Sequence, residues 1–157
     1  MVVCQKGLKL SQGLAAYLRA QTVSAQIVTG GNIAWRHAIL PRVPAALIPP
    51  SLWVTRHRPK IDRIACPWLI RHFVDPKAGF LFAPPSDVAG VTERLEAKPF
   101  DTDIAPWTHI WKKCTFDAMI ETFGLAYPAF NALALIVRGA DTDRHDHAPQ
   151  AVGLLVI

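Results

Sequence analysis

Cys4 is followed at short spacing by Lys6, Gly7, Lys9 and Ser11, ahead of a run from Gln12 to Ala20 that carries Leu14, Ala15, Tyr17 and Leu18 at helical spacing. A cysteine that closes a strand and faces the N-terminus of a helix is a stabilised thiolate, because unpaired N–H groups and the helix dipole both favour negative charge there. Gly7 lets the loop curl without a Cβ penalty, and Lys6 and Lys9 add positive charge near the sulfur. The chemistry expected of Cys4 is nucleophilic, and the same cradle suits an incoming oxyanion. The plainer alternative is a small apolar thiol packed at a strand end.

A second set of residues follows a proline-rich stretch. Arg56, Arg58, Lys60, Arg63 and Arg71 form a dense group of donors, and guanidinium groups match the oxygens of a tetrahedral oxyanion such as sulfate or chromate. A solvated basic face explains the same residues without a ligand. Asp62, Cys66, His109, Cys114, Asp117 and Asp141 are ligand-type side chains that could hold a metal ion, although their spacing is not a zinc signature and the fold must bring them together. Cys66, just before Pro67 and Trp68, reads equally as a packed core thiol or a redox one. His145 and His147 stand four residues after Asp141 and Asp143, ligand-compatible if helical, and read better as surface substitutions.

The elements that position these residues alternate. A short strand ending at Cys4 leads through a loop to a helix with Ser11 at its N-cap; Ala25 to Val28 reads as a strand, Gly30-Gly31 as a turn and Asn32 to Ala38 as a helix. Pro41, Pro44, Pro49, Pro50 and Pro59 break regular structure, which sets a boundary near Ser51. Beyond it come a strand at Leu52 to Thr55, a helix from Ile61 to Phe73 interrupted by Pro67, a strand at Phe80 to Phe82, a capped helix from Ser86 to Glu96, and helices from Phe116 to Phe123 and Ala129 to Gly139. Phe116, Phe123, Leu133, Leu135 and the apolar run from Val152 to Ile157 are core candidates.

At 157 residues, 51% hydrophobic and 18% charged, the chain is rich enough in apolar side chains to exclude disorder. No apolar run is long enough to cross a bilayer, no signal peptide is recognisable, and three scattered cysteines make no disulfide framework, so a cytoplasmic location with free thiols and no membrane partner is expected. The net charge of +5 is spread along the chain, favouring small anions over nucleic acid; without a helix-turn-helix pattern, DNA binding is the weakest class.

The segment Cys4-Gln5-Lys6-Gly7-Leu8-Lys9-Leu10-Ser11, with Gly30-Gly31-Asn32-Ile33-Ala34-Trp35 and Leu40-Pro41, resembles the active-site loop and closing pattern of rhodanese-type sulfurtransferases. The resemblance implies a partial rhodanese-like domain over 1–45, lacking the strands that precede the loop in that family. It implies that Cys4 carries sulfane sulfur as a persulfide with no cofactor, that Lys6, Gly7, Lys9 and Ser11 hold a donor such as thiosulfate, and that a thiol accepts the sulfur.

From Trp53 onward the chain resembles the C-terminal domain of ChrB-type chromate-resistance proteins. The resemblance rests on Trp53-Val54-Thr55-Arg56, the run from Arg58 to Arg71, Cys114-Thr115-Phe116-Asp117 and the run from Ile136 to Asp143.

The expected organisation is therefore a partial rhodanese-like α/β segment, a proline-rich linker over 46–52, and a mixed, helix-rich α/β domain over 53–157 that is incomplete at its C-terminus. In that domain Arg58, Lys60 and Arg63 are the expected oxyanion contacts, and Asp62, Cys66, His109, Cys114 and Asp141 the expected metal ligands. Three functions compete: a chromate-resistance protein with a sulfurtransferase segment, a non-catalytic chromate or sulfate sensor, and a truncated inactive product.

Overall fold

A computed structural model of the chain describes residues 1–43 and 52–156. It is mixed α/β and helix-rich, the class expected, and divides into two compact units, Met1–Pro41 and Arg42–Ile157. Of the proline-rich stretch 46–52, all but Leu52 lies outside the described residues.

The smaller unit holds two helices, α1 (Lys9–Ala20) and α2 (Gly31–His37). The two strands expected around Cys4 and at 25–28 reduce to one parallel bridge between Val2 and Ile27, closed by Val2 N–H to Gln26 O at 2.7 Å and Val28 N–H to Val2 O at 3.4 Å. Of the apolar residues spaced along α1, Ala15 is buried while Leu10, Leu14 and Tyr17 face outward. Ser11 is not the N-cap: α1 begins two residues earlier, and the Ser11 hydroxyl points back to the loop. Gly31 has φ +60°, and a Cβ there would come within 2.1 Å of Cys4 O, so only glycine lets α2 start against the Cys4 loop.

The larger unit is built on three parallel strands, β1 (Leu52–Arg56), β2 (Gly79–Ala83) and β3 (Lys98–Pro99), in the order β2-β1-β3, with Trp53 opposite Phe80 and Lys98. Parallel neighbours require crossovers, supplied by α3 (Asp62–Leu69) and α4 (Val88–Leu95). Alternation along β1 sends Trp53 into the main core with Phe100, Phe116, Met119 and Phe123, and Val54 into a smaller cluster with Ala83, Val88 and Ala97. Both faces of the sheet are thus covered, as parallel sheets require. Of the core candidates, Phe116 and Phe123 are fully buried, while Val152, Leu155 and Val156 are exposed and Leu154 packs on the core.

Local chemistry sets several boundaries. Pro67 lies inside α3, and the chain continues as a π-helical turn over Ile70–Val74 before Asp75 N–H closes back on Ile70 O at 2.7 Å. The helix expected to be capped at Ser86 begins at Val88 with no side-chain cap, because the Ser86 hydroxyl donates instead to Asp87 Oδ1. The remaining helices are α5 (Thr115–Thr122), α6 (Pro128–Asp141, with proline in its first turn) and α7 (Ala151–Leu154), with a 3-10 turn at His145–His147. Among the described residues no helix is long and apolar enough to cross a membrane.

Candidate functional site

Parallel sheets place their chemistry where the strands end. β1 ends at Arg56 and β3 runs on through Phe100 into Asp101, while α3 starts at Asp62 and α6 ends at Asp141. Arg56, Asp101 and Asp141 line an open cleft of about 660 Å³ together with Pro59, Lys60, Arg63 and His109, and the buried Asp62 meets it through His109.

His109 is the centre of this arrangement. Its Nε2 lies 3.0 Å from Asp141 Oδ2, 3.4 Å from Asp62 Oδ2 and 3.6 Å from Asp101 Oδ1. Hydrogen bonds to Asp141 and then Asp62 push the imidazole up to about 10 from its ordinary 6.5, against the opposing effect of burial. His109 is therefore an imidazolium held among carboxylates at neutral pH.

Each carboxylate is fixed by other elements. Asp62 is buried and caps α5: its Oδ2 accepts the Thr115 N–H at 2.6 Å and its Oδ1 the Phe116 N–H at 3.3 Å. Burial raises its carboxyl above the usual range, and the His109 hydrogen bond works the other way. Asp141 Oδ1 accepts the Asp62 N–H at 3.3 Å, tying the end of α6 to the start of α3. Asp101, with φ +50°, accepts the Thr115 hydroxyl at 2.9 Å and pairs with Arg56 and Arg63, each at 3.3 Å.

Asp62, His109 and Asp141 each offer one ligand atom, and these atoms all lie within 4.8 Å of one another. That brings together three of the five expected metal ligands. The other two are neighbouring buried thiols. Cys66 is wholly buried and pushed well up by burial; Cys114 is raised in the same way, sits against Asp62, and points its thiol at Asp117 Oδ2 at 3.4 Å. Protonated thiols are poor ligands. Asp117 belongs to the start of α5, accepting the Cys114 N–H and pairing with Arg138.

The expected oxyanion contacts separate. Lys60 and Arg63 line the cleft, Arg63 already paired with Asp101, whereas Arg58 is exposed and is not among the lining residues. His145 pairs with Asp143, apart from the Asp141 cluster. Asp101 is the residue sequence reasoning missed: it belongs to no ligand-like spacing, and only its place at the end of a strand could have marked it.

In the smaller unit, Cys4 Sγ accepts the Gly7 N–H at 3.2 Å and lies 3.2 Å from Ser11 Oγ. The Ser11 hydroxyl proton can go to Leu8 O or to the sulfur, and ionisation of the thiol draws it to the sulfur. This bond, joined by backbone amides, brings Cys4 down from 9.0 to about 7. Lys6 and Lys9 are exposed at the loop, and Gly7 is buried. Iodoacetamide should therefore label Cys4 with a half-maximal rate near pH 7, leaving Cys66 and Cys114 unmodified until the larger unit unfolds. Ser11→Ala should move that midpoint up; mass-mapped labelling that finds all three thiols equally reactive would contradict this ordering.

Residues 53–157 match the family described as ChrB, C-terminal domain. Over 73 residues, 46% of this chain, the sequence is 42% identical to Protein ChrB of Cupriavidus metallidurans; the match spans 21% of that protein's length. No solved structure matches the chain.

Proposed function

Because this chain belongs to the ChrB C-terminal domain family, we propose that its larger unit serves chromate resistance as a divalent-cation site, held by Asp62, His109 and Asp141, beneath a basic rim that meets oxyanions. The observation that carries this reading is the convergence of His109 Nε2 on three carboxylates. A proton now occupies the position where a cation is best stabilised, and a metal ion of similar coordination chemistry replaces it. Oxygen donors with one imidazole suit Mn²⁺ or Fe²⁺ better than a soft ion. Asp62 and Asp141 are held in place by backbone amides, so the ligands are oriented before any ion arrives. Lys60, Arg56 and Arg63 add positive charge at the cleft.

Titration of the EDTA-treated chain with Mn²⁺, followed by electron paramagnetic resonance, should give one site per chain. Asp141→Asn should weaken it at least about tenfold, since even residues that only support metal ligands cost that much. No saturable binding, or equal affinity in the variant, would remove the proposal.

A specific observation favours a second activity in the smaller unit: a thiol brought to about 7, cradled by Gly7 N–H and Ser11 Oγ. In this reading the Cys4 thiolate attacks the sulfane sulfur of thiosulfate, the S–S bond breaks and sulfite leaves. The outer sulfur of the persulfide then passes to a nucleophilic acceptor such as cyanide, and the thiolate is restored. Thiocyanate formation should be abolished by Cys4→Ser; equal rates for the two chains would dispose of it.

A further inference from the structure

We propose that the groove between α3, α6 and α7 takes the apolar body of a small amphiphilic carboxylate whose head group enters the cation cleft. The groove measures about 270 Å³, and every residue that lines it is apolar. Ile61, Ile64, Ala65 and Trp68 stand three and four residues apart and form one stripe along α3; Leu133 and Val137 contribute from α6, and Leu154 from α7. Such a stripe normally packs against the core. Here Ile64 and Trp68 remain 40% and 41% exposed beside the groove.

What adjoins the groove decides what kind of molecule fits it. Ile61, Ile64 and Leu154 line both the groove and the cleft that holds Lys60, Arg63 and His109. The Lys60 side chain pairs with no carboxylate among the described residues, whereas Arg56 and Arg63 are both bound to Asp101. A carboxylate that enters from the groove therefore meets an unpaired ammonium and, in the same cleft, the ion proposed between Asp62, His109 and Asp141. The body behind that head must be apolar, because a polar group in the groove would lose water without gaining a partner.

A small ligand also fits better than a partner helix. One turn of helix, ~10 Å across and ~5.4 Å in pitch, needs more room than the groove has. An apolar pocket beside a few convergent polar groups is the common form of a small-molecule site. The proposal rests on the cation reading above for what the head group meets, but not for the groove itself.

The test uses the full chain, titrated by calorimetry with sodium butyrate, hexanoate and octanoate, each with and without Mn²⁺, and with 1-octanol. Affinity should rise about fourfold per methylene from butyrate to octanoate, the increment for taking each CH₂ group out of water. Ala65→Leu puts a good helix former into the groove and should weaken octanoate at least about tenfold, by taking the space of several methylenes. The same variant should melt at or above the wild-type temperature and bind Mn²⁺ as wild type does, which separates a filled groove from a misfolded chain. Lys60→Ala should weaken octanoate about two- to fivefold, as suits an exposed ion pair. Mn²⁺ should tighten it.

No saturable octanoate binding, affinity independent of chain length, or an Ala65→Leu chain that binds as wild type does overturns the proposal. So does 1-octanol binding as tightly as octanoate, which would point to an occupant with no charged head, such as an apolar side chain of a partner protein. Binding that grows with chain length in a protein that takes no Mn²⁺ supports the groove and sinks the cation reading alone. Mn²⁺ binding without octanoate binding does the reverse.

Discussion

Asp62→Ala is expected to destabilise the whole larger unit rather than simply empty its cleft. The Asp62 side chain is 1% exposed and accepts two N–H groups from the first turn of α5 while facing His109. Removing it leaves Thr115 and Phe116 amides buried without acceptors at a helix end whose dipole then has no counter-charge. It also leaves the His109 imidazolium short of one of its nearest carboxylates. Loss of one partner from such a buried, charged network costs ~3–5 kcal/mol, a large share of the ~5–15 kcal/mol by which domains are stable. Urea denaturation followed through the fluorescence of buried Trp53 and Trp107 should show the loss. Asp141→Asn, which keeps the side-chain oxygen that accepts the Asp62 N–H and sits at a more exposed position, should cost far less. Equal stability of Asp62→Ala and wild type would mean that Asp62 does not organise α3, α5 and α6.

This division between framework and ligand explains what could be read from the sequence. The helix and strand positions of the larger unit were legible because apolar periodicity is a local property: Leu52 to Thr55 and Phe80 to Phe82 fall within strands as expected, and Phe116 to Phe123 matches a helix that ends one residue earlier, at Thr122. Asp62, His109 and Asp141 could be named as ligand types, but not sorted from Cys66 and Cys114, because 53 residues separate Asp62 from the Thr115 amide that fixes it. Asp101 was invisible for the same reason: its partners Arg56, Arg63 and Thr115 arrive from other elements. The smaller unit failed differently. Its Cys4 loop was legible from glycine and serine positions, whereas the strands flanking it reduce to a single bridge because neither segment finds a second partner among the described residues. Ser11 was assigned to helix capping when its hydroxyl serves the thiol instead, a contest between two acceptors that spacing cannot decide.

The metal-free larger unit should lose stability as the pH rises from 7 to 10, and His109→Gln should remove most of that slope. The imidazole is at about 10 in the folded chain against an ordinary 6.5, so the folded state holds a proton that the unfolded state has released. The contribution is complete below pH 6.5 and disappears as the pH passes through 10. A shift of this size in a buried site would be worth several kcal/mol. With the His109 side chain 43% exposed, solvent screening brings it to ~1–2 kcal/mol. For a unit of this size that is a fall in melting temperature of about 5–10 °C. Cys66 and Cys114, raised by burial above the ordinary thiol value of 9.0, add a decline of the same sign at the upper end of the window. His109→Gln retains their contribution, so the difference between the two curves isolates the imidazole. Melting curves in EDTA at half-unit pH steps, read through tryptophan fluorescence, measure it. Saturating Mn²⁺ should flatten the wild-type curve, because an ion on His109 Nε2 leaves no proton there to lose. Parallel wild-type and His109→Gln curves would show that the imidazole is not held as a cation by Asp141 and Asp62, and the geometric case for a cation at that point would fail with it.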